Sequence, residues 1–236
     1  MATSRTSAPA FLLHSTPYRE TSLVVDLFTR DHGRIAAVAK GAKRPRSALR
    51  AVLLQFQPLI ATWSGNRELR TLTGAEWTGG LPAPQGDALL CAFYLNELLI
   101  RLLPREDAHP ALYDAYERAL RELSDGAAPA DETLRRFEWL LLREAGYAPD
   151  LDRDSADRPI DAQRLYRWSP SGGFVAAEPH EPSVVAGAML HELAEGRFGS
   201  TANRQQAKYL MRAILSHHLD GAPLNTRQIL IDLHKL

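Results

Sequence analysis

Four groupings in this sequence have residue types and spacings that could do chemistry. DLDRDSADRPID (150–161) sets Asp150, Asp152 and Asp154 at the first three ligand spacings of a calcium loop. Ser155 stands where that loop needs glycine, Pro159 interrupts it, and Asp161 is too short for the bidentate glutamate, so a solvated acidic loop explains the segment better. HELAE (191–195) opens like a zinc-protease helix but lacks the second histidine one turn on. His217 and His218 are adjacent, about 100° apart on a helix, and cannot converge on one ion. The fourth grouping is different in kind. RIAAVAKGAKRPRSALR (34–50) holds Arg34, Lys40, Lys43, Arg44, Arg46 and Arg50 and no acidic residue.

Six cations of one sign repel one another unless a polyanion neutralises them. Their chemistry is therefore binding, with guanidinium and ammonium groups gripping phosphates and releasing counterions. Gly41 and Pro45 keep the stretch looped, so that its side chains and amides could follow a nucleic-acid backbone. Arg30 lies just upstream and is a weaker candidate. Tyr18, Phe28, Phe56 and Trp63 could stack on bases, although apolar alternation already claims each of them for the core.

The formal net charge is zero, but it is unevenly distributed. Residues 1–80 carry 11 Lys or Arg against 5 Asp or Glu, a net +6, and the remainder is −6. A basic first third joined to an acidic remainder is an electrostatic footprint for a polyanion. Cys91 is the only cysteine, which excludes a disulfide framework and any four-cysteine metal site. No apolar run approaches the roughly 20 residues that span a bilayer, and MATSRTSAPA has no signal-type apolar core, so a cytoplasmic protein is expected. There is no P-loop, no G-x-G-x-x-G after a strand and no G-x-S-x-G elbow. The residues point to a binder, not an enzyme, with no catalytic group, cofactor or metal.

The elements that position the basic stretch follow from periodicity. AFLLHS (10–15), SLVVDLFT (22–29), RIAAVAK (34–40), PLIATWS (58–64) and ELRTLTGAEW (68–77) have strand chemistry. Asp31-His32-Gly33 and Gly65-Asn66 are hairpin signals, and SALRAVLLQF (47–56) suits one or two helical turns. Five short strands in residues 1–80 fit an OB-type barrel, and a small SH3-like barrel fits the same counts. GGLPAP (79–84) marks a change of period, so a helical domain is expected over 81–236. Its helices are predicted at 87–103, 109–123, 131–146 with Asp131 as N-cap, 181–196, 203–219 and 226–234. The acidic, proline-bearing segment 147–182 reads as an irregular module or long loop packed on the bundle. The fold class is α+β, a five-stranded barrel followed by helices.

FLLHSTPYRETSLVVDLFTRDHGRIAAVAKGAKRPRSALR closely resembles the opening of the RecO family of bacterial recombinational-repair mediators. The likeness continues in order through LQFQPLIATW, YLNELLIRLL, LRRFEWLLLREAGY and YLMRAILSHHLDGAPLNTRQIL. The resemblance implies an N-terminal OB fold, binding of single- and double-stranded DNA, and annealing of strands coated by single-stranded-DNA-binding protein. It also implies partnership with RecR, with RecF in some settings, to load RecA during repair, in the cytoplasm at the nucleoid. Many relatives carry a four-cysteine zinc module, and with Cys91 alone this chain falls in the zinc-free branch. On this footing Arg34, Lys40, Lys43, Arg44, Arg46 and Arg50 are the expected DNA contacts.

The family also binds the acidic, phenylalanine-ending tail of single-stranded-DNA-binding protein through its helical domain. The matching helix here is ETLRRFEWLLL, where Arg135, or else Arg136, would hold the terminal carboxylate beside an apolar run. By residue types alone, an amphipathic helix with solvated arginines is the better reading. The competing function is an OB-fold scaffold whose main role is protein–protein interaction.

Overall fold

The protein is described by a computed structural model covering residues 5–66, 68–226 and 228–229. The chain divides into two compact units, Met1–Asp125 and Gly126–Leu236. The change of composition near residue 80 is a change of secondary structure, while the first compact unit runs on through two helices.

In the first unit, β1 (Arg5–Tyr18), β2 (Ser22–Thr29), β3 (Gly33–Ala39), β4 (Pro58–Ser64) and β5 (Leu69–Trp77) close a barrel in the order β1-β2-β3-β5-β4. All pairings are antiparallel except β3 with β5. The order, the parallel closure and a short helix α1 (Ala48–Val52) between β3 and β4 fit the OB arrangement. β1 is longer than its apolar centre predicts. A bulge between Leu12 and His14 bends it, so its first half pairs with β4 and its second with β2.

Inward positions alternate small and large. Ala8, Ala10, Ala37, Ala39 and Ala61 leave room for Leu12, Val25, Leu27, Ile35, Leu59 and Trp63. Ala42 from the basic loop belongs to this core, and Leu49, Val52 and Leu53 pack against it.

The turn from β2 to β3 requires glycine at 33. Its φ is +63°, and a Cβ there would lie 2.0 Å from the carbonyl oxygen of Asp107. Outside the barrel lie α2 (Asp87–Leu102) and α3 (Pro110–Asp125). Phe11 and Phe28, on outward positions of β1 and β2, meet Tyr113 and Tyr116 with ring centroids 5.1–6.1 Å apart. Asn96 donates to the Leu13 carbonyl at 3.0 Å and receives the Tyr116 hydroxyl, so these two buried side chains are paired.

The second unit holds α4 (Ala130–Glu144), β6 (Leu165–Ser169), β7 (Gly173–Ala177), β8 (Val184–Ala186), α5 (Gly187–Glu195) and α6 (Thr201–His218). Segment 147–182 is not merely irregular. LYRWS and GFVAA form a hairpin, and with β8 they make an antiparallel sheet of order β7-β6-β8. The helix predicted from 181 begins only at Gly187, because the β-branched pair Val184-Val185 adds a strand to β6. α4 starts one residue earlier than predicted, with Pro129 and not Asp131 at the N-cap position. The helix predicted at 226–234 falls mostly outside the described residues. No helix among the described residues is long and apolar enough to cross a membrane.

Candidate nucleic-acid interface

The basic loop between β3 and α1 is a run of successive turns. The amides of Ala42, Arg44 and Ser47 donate to the carbonyls of Ala39, Gly41 and Arg44 at 3.0–3.4 Å. The Lys43 amide donates to Thr21 of the β1–β2 turn at 2.9 Å, and Ala42 is 1% exposed. These bonds fix the loop and engage its amides internally, so an anion meets side chains instead of backbone N–H groups. Lys40, Lys43, Arg44, Arg46 and Arg50 are all exposed. None of the five has a carboxylate within ion-pair distance among the described residues. Gly41, at φ +70°, carries the chain through the turn, and the Arg44 side chain lies across it.

Arg34 does not join them. It is 8% exposed on β3, donates to the Ile100 carbonyl of α2, and lies 3.8 Å from Asp26. Asp26 also accepts from Arg105 at 3.3 Å. Burial raises the Asp26 carboxyl pKa, against the pull of Arg34, Arg105 and His14, and burial lowers that of the Arg34 guanidinium. Arg34 thus ties β3 to the segment after α2, and its expected role as a phosphate contact is corrected. Arg30 is also engaged, by both Asp114 carboxylate oxygens on α3 at 3.0 and 3.1 Å.

The two α4 arginines separate as well. Arg135 is 6% exposed and paired with Glu138, which is wholly buried. A group so enclosed cannot present a fork to a peptide carboxylate, so Arg135 is corrected from a partner contact to a structural ion pair. Arg136 reaches the surface in part and donates to Glu132 at 2.8 Å.

The chain matches two family models end to end, "Recombination protein O N terminal" over residues 1–81 and "Recombination protein O C terminal" over 83–228. Three proteins called "DNA repair protein RecO" are similar over 97% of this chain. That of Burkholderia pseudomallei (strain 1710b) is 54% identical, with 84% of its own length covered. Those of Ralstonia nicotianae and Polynucleobacter asymbioticus are 52% and 50% identical, with 85% and 96% covered. This chain belongs to the RecO family.

A four-thiolate zinc module does not fit this RecO chain. Its one cysteine, Cys91, lies on α2, and segment 147–182 contains none. The acidic loop there satisfies itself. Asp150 accepts from the amides of Asp152 and Arg153, and Asp154 from those of Ala156 and Arg158 and from the Arg158 guanidinium at 2.8–2.9 Å. Those bonds, the Arg158 side chain first, hold the Asp154 carboxyl below its ordinary value.

Of the four aromatics proposed to stack, Phe28, Phe56 and Trp63 are buried, and only Tyr18 reaches the surface. Beside it Arg19, at φ +53°, sets its guanidinium 5.2 Å from the Tyr18 ring centre. The Thr21–Lys43 bond brings this pair next to the basic loop. Sequence reasoning missed Arg19 because it lies 24 residues from Lys43. It missed Arg143 of α4 too, an exposed cation on an open cleft lined by Trp139, Pro149, Leu151, Ala194, Asp150 and Asp152. The i, i+7 spacing of Arg136 and Arg143, two turns apart on one helix face, was the available signal.

Proposed function

We propose that this protein is a recombination mediator in DNA repair. It binds single- and double-stranded DNA through the β3–α1 loop, anneals complementary strands coated by single-stranded-DNA-binding protein, and with RecR, and RecF in some settings, helps load RecA. The reading is carried by one observation: five exposed cations without acidic partners among the described residues stand on the β3–α1 loop and on α1, pinned to an OB-type barrel. Phosphate contacts of this kind position DNA without reading its sequence, so the activity acts on any complementary pair. No step requires a nucleophile or a nucleotide. Annealing is driven by binding energy, and the protein acts as a binder, not an enzyme. The family name and the relatives called DNA repair proteins support the biological setting. The acidic tail of the coating protein is assigned to Arg136 and Arg143, the α4 arginines that reach the surface.

The test is annealing of two labelled complementary oligonucleotides, each coated with single-stranded-DNA-binding protein and followed by fluorescence quenching. Fast annealing without ATP, fading as salt rises, is expected. Binding to naked DNA with no annealing of coated strands would leave only a DNA-binding scaffold.

A further inference from the structure

Tyr18 ends β1 and lies outside the barrel core. Its ring is partly exposed, and the Arg19 guanidinium sits over it, 5.2 Å from the ring centre. Arg19 holds φ +53°, a left-handed conformation that glycine or asparagine adopts at less cost. The turn thus carries its backbone strain at the residue whose planar cation meets the ring. Arg19 is exposed and has no carboxylate within ion-pair distance among the described residues, that of neighbouring Glu20 included.

Two hydrogen bonds fasten this hairpin tip to the basic loop. The Lys43 amide donates to the Thr21 carbonyl at 2.9 Å, and the Gly41 amide to the Ser22 hydroxyl oxygen at 3.4 Å. Ser22 is the cross-strand neighbour of Tyr18, so the ring stands one strand away from a residue that touches the loop. Cations without acids suit any polyanion. A ring stacked with a guanidinium adds a demand for a flat partner, because a base can pile on either plane. An unpaired strand can supply one. A duplex cannot without breaking its own stack, at a cost.

We propose that Tyr18 and Arg19 form a base-stacking site at the edge of the basic loop. It takes one base of a single strand while Lys40, Lys43 and Arg44 hold the flanking phosphates. The proposal deepens the loop reading and rests on it. The loop cations grip single and double strands alike, and the stack adds affinity for the single strand alone. When two strands pair, the base leaves the ring for its complement, so the duplex forfeits a contact that the strand had. Release of the annealed product then needs no nucleotide.

The test titrates the full chain with three ligands of one length: oligo-dT, an abasic strand with the same phosphates, and a duplex. The wild type is expected to bind oligo-dT about tenfold more tightly than the abasic strand. Tyr18→Ala, or Tyr18→Leu should the first misfold, is expected to bind the two strands alike. Its loss on oligo-dT is about tenfold, with duplex affinity and the salt slope unchanged. Tyr18→Phe should keep the preference. Arg19→Lys, which keeps the charge and loses the plane, should reduce the preference and keep the salt slope. A folded Tyr18 variant that still favours oligo-dT over the abasic strand overturns the proposal, and so does equal loss on all three ligands. In either case, loss of affinity for every ligand in Lys43→Glu/Arg44→Glu/Arg46→Glu leaves the loop reading intact. If that triple variant binds all three like the wild type while Tyr18→Ala loses the preference, the stacking site stands and the loop reading falls.

Discussion

The basic loop and the start of α4 both attract attention by their arginines, and the structure treats them in opposite ways. Between Lys40 and Arg50 there is no acid, and all five cations face solvent. On α4 the two arginines ahead of the apolar run, Arg135 and Arg136, each have an acid three or four residues away. Glu138 takes Arg135 inward and Glu132 holds Arg136 along the surface. A cation with an acid one helical turn away already has its counter-charge. A cation without one keeps its capacity for a partner. Arg34 follows the same rule across strands, since Asp26 on β2 and Arg105 complete its network.

The largest effect that sharpens this contrast is on stability. Arg135→Ala removes the arginine from a fully buried Glu138 and is expected to cost about 3–5 kcal/mol in urea unfolding. Loss below ~1 kcal/mol would mean the pair is not buried in solution. The loop predicts the converse. Lys43→Ala/Arg44→Ala/Arg46→Ala should leave the urea midpoint within error, while affinity for single-stranded DNA falls by about tenfold or more in titrations at moderate salt. Smaller again is Arg136→Ala, expected to change stability by about 0.5 kcal/mol or less, as exposed helical pairs do. A drop like that of Arg135→Ala would erase the distinction between the two α4 arginines.

Two aspartates give the finest comparison. Asp26 has one good hydrogen bond and a raised pKa, so the native state takes up its proton more readily than the unfolded chain. Its contribution to stability therefore rises as pH falls through that raised value toward the ordinary 3.8. Asp154, with several donors, is shifted down, and its contribution is present above 3.8 and lost as pH falls below it. Acidification should therefore narrow the wild-type advantage over Asp154→Asn. It should move the gap to Asp26→Asn the other way. Urea midpoints from pH 7 to 3 measure both.

Much of this was legible in the residues. β2 and β4 lie where their strand chemistry placed them, and the Asp-His-Gly turn puts glycine where a positive φ is needed. The ends of β1 were hidden by Pro9 and Pro17, which mimic breakers while the strand continues past them. The sheet in 165–186 escaped because its strands are three to five residues long, too short to show alternation. In the candidate site, isolated exposed cations were readable from the missing acids. Burial of Arg34 was not, because its partners Asp26, Ile100 and Arg105 come together only when the barrel and α2 have packed. Burial of Arg135 could have been read from RRFE, where the acid stands at i+3. The family likeness outweighed that local signal.

The central claim is that the loop cations meet phosphates, and the salt dependence of single-stranded DNA binding tests it most directly. Plotted as log affinity against log salt, the wild type should give a steep negative slope, and Lys43→Ala/Arg44→Ala/Arg46→Ala a slope shallower by roughly 2. An unchanged slope in the folded triple variant would contradict the assignment and place the DNA elsewhere on the molecule.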